Sequence, residues 1–142
     1  MNRLLPLLLL SLTLLTAACQ KDEAQPASTP TLEGRWQYQT SDGYDYDKTG
    51  KVLAHKPYTF NSYYLLVTPD ALRYMRPTTN DQFDIDIIQG RKGDTLELGP
   101  GSDARQAIIT ELTEHALTLR FYKWYVDPLD GSYGCLDDHY TR

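Results

Sequence analysis

Short runs of alternating apolar and polar residues constrain the fold of this 142-residue chain more than any other feature. The clearest run is Phe-Asp-Ile-Asp-Ile at residues 83–87, where Phe83, Ile85 and Ile87 share one face of an extended strand. Such alternation is typical of strands that have one face on a core and the other in water. We therefore expect these three side chains to face the core and the aspartates to face solvent. Similar alternation recurs at residues 95–98 and 116–125.

Turn-forming residues separate these runs at short intervals, and the eleven tyrosines also favour strands. The turns are predicted at residues 47–50, 68–70, 91–94 and 113–115. From residue 33 onward the pattern predicts eight or nine short strands joined in sequence, which is typical of an up-and-down barrel or a sandwich. We favour an all-β, antiparallel up-and-down barrel of about eight strands, because closing the sheet removes its exposed edges.

The tripeptide Gly34-Arg35-Trp36 stands at the start of the first predicted strand, just after Leu32. In this position it resembles the lipocalin and lipocalin-like (calycin-like) families. The resemblance implies that the tryptophan closes one end of the barrel and that an arginine of the last strand packs over its ring. Arg142 is the first candidate for that arginine and Arg120 the second. The domain implied by the resemblance spans residues 32–142.

The N-terminal segment has the pattern of a secretory signal. Arg3 precedes a leucine-rich run at residues 4–15, and the small residues 16–18 stand before Cys19. The apolar run is too short for a spanning helix, which needs roughly 20 residues. The segment resembles a bacterial lipoprotein signal, so residues 1–18 would be removed and Cys19 would carry acyl chains such as palmitate. The alternative is an ordinary signal peptide that leaves Cys19 as a free thiol.

Residues 19–31 are predicted to be the lipidated cysteine and a flexible tether, because they are rich in proline and small polar residues and hold no large apolar side chain. The Gln-Lys-Asp-Glu at residues 20–23 resembles the surface-export signal of lipoproteins from Bacteroidetes-type bacteria. That resemblance implies a protein anchored in the outer membrane and displayed on the cell surface. The alternative is a polar tether whose charges carry no signal.

Composition and motifs argue against several functions. The net charge is −5 and no basic run is present, so nucleic acid is not an expected partner. Residues 45–50 resemble the opening of a calcium loop, but Lys56 stands where the bidentate glutamate should be. Asp137, Asp138 and His139 cannot converge locally in a strand, because successive side chains point to opposite faces. No nucleophile elbow or phosphate loop is present, so we predict a non-catalytic protein without a metal or cofactor.

Two hypotheses for function remain. In the first, the barrel binds a small hydrophobic or amphipathic ligand without transforming it. The candidate ligand-lining residues are Tyr38, Tyr63, Phe83, Ile85, Leu119 and Phe121. In the second, side chains fill the barrel and its outer face binds a protein or a glycan, as a hydrolase inhibitor would. The candidate outer patch is Arg120, Tyr122 and Trp124, because these residues alternate with Leu117, Leu119 and Phe121.

Overall fold

The computed structural model describes residues 29–142, which form nine β-strands. Their bounds are β1 Gly34–Tyr46, β2 Val52–Tyr58, β3 Tyr64–Thr68, β4 Ala71–Met75, β5 Gln82–Lys92, β6 Thr95–Leu98, β7 Gln106–Leu112, β8 Ala116–Val126 and β9 Tyr133–Thr141. The predicted signal peptide, Cys19 and most of the tether lie outside the described residues. Within them, no helix is long and apolar enough to cross a membrane.

Strand β1 closes the sheet because it pairs along both of its edges. One edge pairs with β3 near its start and with β2 near its end, and the other edge pairs with β9 from Gln37 to Tyr46. From β3 to β9, each strand is antiparallel to the next. Eight strands therefore form a closed barrel and β2 lies outside it. The predicted all-β antiparallel barrel of about eight strands is confirmed.

The two ends of the barrel differ in their connections. At the end where β1 begins and β9 finishes, which we name the closed end, strands are joined by short turns at residues 69–70, 93–94 and 113–115. At the opposite end, named the open end, the connections are longer: residues 47–51, 59–63, 76–81, 99–105 and 127–132. Because loops carry most binding groups, the open end has the more adaptable surface.

Trp36 fills the closed end and is fully buried. Its indole Nε1 donates a hydrogen bond of 2.8 Å to the carbonyl oxygen of Leu32, and the guanidinium carbon of Arg142 lies 4.0 Å from the centre of its ring. Arg142 also donates to the carbonyl oxygens of Thr31, Glu33 and Glu114. These bonds hold the guanidinium of Arg142 over the ring of Trp36. Arg120, the second candidate, instead bonds to Asp137.

Above Trp36, apolar side chains fill the interior. Six of the most buried are Leu65, Val67, Leu72, Leu96, Leu117 and Leu119, each at most 2% exposed. Interiors packed in this way leave few voids larger than a water molecule. The interior of the barrel next to the closed end is therefore a packed core.

The expected facing of strand β5 is wrong for Ile85 and for the aspartates Asp84 and Asp86. Asp86 stands opposite the buried Leu72, and Asp84 stands opposite Tyr74, which packs against the core, so the two aspartates face the interior. Ile85 stands opposite Arg73 on the outer face. Alternation separates two faces of a strand but does not say which one points inward. Near the open end of this barrel the interior face is polar.

Candidate functional site

Five large aromatic side chains that remain exposed collect at the open end. We name this set the aromatic rim: Tyr58, Phe60, Phe83, Trp124 and Tyr125, which are 38–48% exposed. Two pairs within the rim are in contact: Tyr58 stacks on Phe60 at 6.1 Å, and Trp124 meets Tyr125 edge to face at 5.1 Å. Clustered exposed aromatic residues, unlike scattered single ones, make this end the candidate for an interaction site.

Two glycines within strands make room for the rim. A Cβ at Gly43 would collide with the ring of Tyr58, and one at Gly134 would collide with the ring of Tyr125. The same added atom at Gly134 would lie 2.7 Å from Nε1 of Trp124. Glycine within a strand is a recognised sign of such a close approach. The rings of Tyr58 and Tyr125 therefore pass close to the backbone of β1 at Gly43 and of β9 at Gly134.

Beside the rim lies a cavity of about 200 Å³, which we name the acidic cavity. Its lining residues are Tyr74, Asp84, Asp86, Gly101, Ser102, Asp103, Ala104, Phe121, Trp124, Leu136 and Asp138. Four of them are aspartates, three are aromatic, and none is lysine, arginine or histidine. The cavity therefore combines negative charge with aromatic surface.

Asp138 forms the floor of this cavity and is 4% exposed. Its carboxylate accepts hydrogen bonds from the hydroxyl groups of Ser41 at 2.5 Å, Tyr140 at 3.1 Å and Tyr63 at 3.3 Å. Burial raises the pKa of Asp138, and the bonds from the three hydroxyls oppose that rise. An irregularity in the pairing of β1 with β9, between Tyr38 and Thr40, brings Ser41 to the same interior face.

The other interior aspartates are less enclosed. Asp86 is half-buried and accepts a hydrogen bond of 2.8 Å from the hydroxyl of Tyr74. Asp84 is exposed, and one of its oxygens accepts from the backbone N–H of Ile85. Burial and the nearby Asp86 raise the pKa of Tyr74, so this phenol stays protonated and remains a donor. Each aspartate keeps one carboxylate oxygen that these bonds do not use.

Two further hollows at the open end are lined in part by residues of the rim. A hollow of about 310 Å³ is lined by Phe60, Asn61, Tyr63, Tyr74 and Phe83, so Tyr74 borders both spaces. A second hollow of about 410 Å³ shares Phe83 and Tyr63 and is also lined by Arg76, whose guanidinium carbon lies 5.3 Å from the centre of the Phe83 ring. The open end therefore offers an acidic space followed by more apolar ones.

The structure does not bring the six predicted ligand-lining residues together at one place. Tyr63, Phe83 and Phe121 line the cavity or the hollows. Tyr38 and Leu119 are enclosed in the core, where the Tyr38 hydroxyl bonds to Ser41 at 2.8 Å. Ile85 faces outward, for the reason given for β5.

The predicted outer patch is divided. Arg120 lies on the outer face and forms two hydrogen bonds of 2.6 Å with Asp137. Tyr122 lies near it, with its ring 5.7 Å from that of Tyr133. Trp124 instead lines the acidic cavity, because the pairing of β8 with β9 is irregular between Phe121 and Tyr125. Lys123 adopts a left-handed conformation there, with φ of 52°, which breaks the simple alternation.

The two acidic motifs noted in the sequence, residues 45–50 and residues 137–139, form local hydrogen bonds and ion pairs. In the turn after β1, one oxygen of Asp47 accepts bonds from the backbone N–H groups of Thr49 and Lys51 and from the Thr49 hydroxyl. In β9, Asp138 faces inward, while Asp137 bonds to Arg120 on the outer face. Residues 29–142 contain no group of three or more His, Cys, Asp or Glu side chains that could hold a metal ion.

Sequence reasoning missed most of the open-end site, including Tyr58, Tyr74, Asp86 and Asp138. The available signal was the pair of glycines inside otherwise strand-like segments, Gly43 and Gly134, since such glycines mark close approaches. Comparison of the chain with protein-family models, with curated proteins and with solved structures found no match.

Proposed function

We propose that the protein is a non-catalytic lipoprotein that binds a small amphipathic molecule at the open end of its barrel. The observation that carries the proposal is a cavity at the open end that combines aspartates with aromatic rings, one of them Trp124 of the aromatic rim. Ligand sites typically combine hydrophobic and aromatic walls with a few placed polar groups. The acidic cavity supplies polar groups and the rim supplies apolar surface.

The sizes of the spaces favour a ligand that is only partly enclosed. Pockets for drug-sized ligands usually measure about 300–1,000 Å³. The acidic cavity alone is smaller, at about 200 Å³, while the two hollows that Phe83 lines measure about 310 and 410 Å³. We infer that one end of the ligand enters the cavity and that its apolar part lies against the rim. The packed core around Leu119 leaves no room for deeper entry.

The proposed location rests on the sequence of the N-terminal segment. A charged start, a leucine-rich run and small residues before Cys19 support acylation at that cysteine. Two or more acyl chains give stable anchoring. Incorporation of labelled palmitate into the wild-type protein, and its loss in Cys19→Ala, would support the anchor. Digestion by protease added to intact cells would support display on the surface.

Native mass spectrometry tests the binding. Purified gently from its own host, the protein should carry a discrete added mass that is released on denaturation. Trp124→Ala should lose that mass, because it removes rim surface, whereas Tyr122→Ala, an aromatic change on the outer face, should retain it. A protein without added mass, combined with capture of a macromolecule that Tyr122→Ala abolishes, would replace this proposal by an interaction module acting through the outer face.

A further inference from the structure

We propose that the ligand is an organic cation, an amine or ammonium group on an apolar body, and that the acidic cavity receives the charged group. This inference rests on the proposed function, because it names the class of molecule bound at the same site. Two independent features of the cavity carry it, its carboxylates and its aromatic faces.

The first feature is an excess of negative charge without an internal partner. Four aspartates line the cavity, and none of its lining residues is a lysine, arginine or histidine. The bonds to Asp84 and Asp86 come from a backbone N–H and a phenol, both of which are neutral donors. Opposite charges a few ångströms apart attract one another, and the attraction grows as the surroundings become less polar than bulk water. A ligand ammonium, with or without N–H groups, would therefore be attracted to these carboxylates.

The second feature is the aromatic surface on the same cavity. Phe121, Tyr74 and Trp124 line it together with the aspartates. The face of an aromatic ring attracts a cation, most strongly for tryptophan, and quaternary ammonium groups are recognised by such rings. This attraction does not depend on the carboxylates. An anionic head group would be repelled by both features.

Charge differs between the two sides of the open end. Arg76 lines the 410 Å³ hollow and lies over the ring of Phe83, so that side carries a positive charge. The cation is therefore assigned to the acidic cavity, and the apolar body to the 310 Å³ hollow that shares Tyr74 with it. The small volume of the cavity suits a head group better than a whole molecule.

Three probes with the same alkyl chain test the inference: octyltrimethylammonium, octyl glucoside and octyl sulfate, each used as a monomer. The mature chain from residue 19, with Cys19→Ser to prevent acylation, contains the whole barrel, since β1 pairs with β9 within residues 34–141. Calorimetric titration should give octyltrimethylammonium a Kd about tenfold below that of octyl glucoside. This ratio corresponds to a difference of roughly 1.4 kcal/mol in binding free energy. Octyl sulfate should bind most weakly.

Paired variants separate the cavity from the overall negative charge. Asp84→Asn with Asp86→Asn should remove most of the preference for the cation, so that the ratio of the octyl glucoside Kd to the octyltrimethylammonium Kd falls from about ten toward one. The matched control, Asp94→Asn with Glu97→Gln, removes two charges from exposed positions outside the lining and should retain the preference. Asp138 is left intact because its hydrogen bonds belong to the core. Unfolding curves of both double variants verify that each one folds.

The outcomes distinguish the two proposals. Equal affinity of the wild type for all three probes would overturn the cation assignment and leave the proposed binding function in place. Loss of the preference in the control pair as well would also overturn it, because the effect would then be one of net charge. Failure of all three probes to bind would overturn the inference together with the proposed function.

Discussion

The two ends of this barrel each hold one of the chain's two tryptophans, and they treat it in opposite ways. At the closed end Trp36 is fully buried, bonded through its indole N–H and covered by Arg142. At the open end Trp124 is 38% exposed and borders a cavity lined by aspartates. The closed end supplies its own cation for its ring. The acidic cavity at the open end brings carboxylates and rings together without a lysine, arginine or histidine in its lining, and on this difference we base the proposal of a binding site.

The largest expected effect is on stability at the closed end. Trp36→Ala should lower the free energy of unfolding by about 3–5 kcal/mol, because it opens a cavity in the packed core. Trp124→Ala should lower it by about 1 kcal/mol or less, since changes at exposed positions cost little. Urea unfolding of both variants provides the comparison. If Trp36→Ala does not fold, Trp36→Phe gives a milder change at the same place. Equal losses at the two positions would remove the distinction between the ends.

A smaller effect is expected from the two arginines that lie over aromatic rings. Arg142→Gln should lower the free energy of unfolding by about 1 kcal/mol, because it removes a cation–π contact and weakens the bonds to three backbone carbonyls. Arg76→Gln, at the open end, is the matched control and should leave stability nearly unchanged. Thermal unfolding measures both. A greater loss in Arg76→Gln would show that the open end, too, depends on its arginine for stability.

The smallest effect concerns pH and the floor of the acidic cavity. Burial raises the pKa of Asp138 above its ordinary value of 3.8, so the folded protein binds this proton more tightly than the unfolded chain. The free energy of unfolding that this tighter proton binding contributes is therefore lost as pH rises from about 4 through the pKa of Asp138 in the folded protein. We expect the stability of the wild type, relative to Asp138→Asn, to fall over this range. Urea unfolding between pH 3.5 and 7 tests it, and a relative stability that rises with pH would contradict the assignment.

The sequence predicted the strands better than the site, and β5 shows why. The alternation of residues 83–87 correctly indicated a strand with two unlike faces. It did not indicate that Asp84 and Asp86 face the interior, because the interior of a barrel is apolar only where side chains pack against each other. Near an open end the interior face of the barrel is accessible to solvent. The choice of face is set by the register of β5 on β4, which pairs residues distant in sequence.

Strand β8 illustrates a second limit. Alternation held from Leu117 to Phe121, which are buried in the interior. It failed at Trp124, because Lys123 adopts a left-handed conformation and the register with β9 shifts. Lysine at such a position gives no sequence signal, unlike glycine. The aromatic residues were recognised as informative, but their distribution between the two ends could be found only from the pairing of the strands.

Both described ends of the chain meet at the closed end of the barrel. Arg142 bonds to the carbonyl oxygens of Thr31 and Glu33, so the segment that enters β1 and the last residue lie side by side. If Cys19 is acylated as proposed, the anchor would be attached through residues that enter the barrel at its closed end. The aromatic rim would then lie at the end of the barrel opposite the point of attachment, where a dissolved molecule could reach it without first crossing the lipid surface.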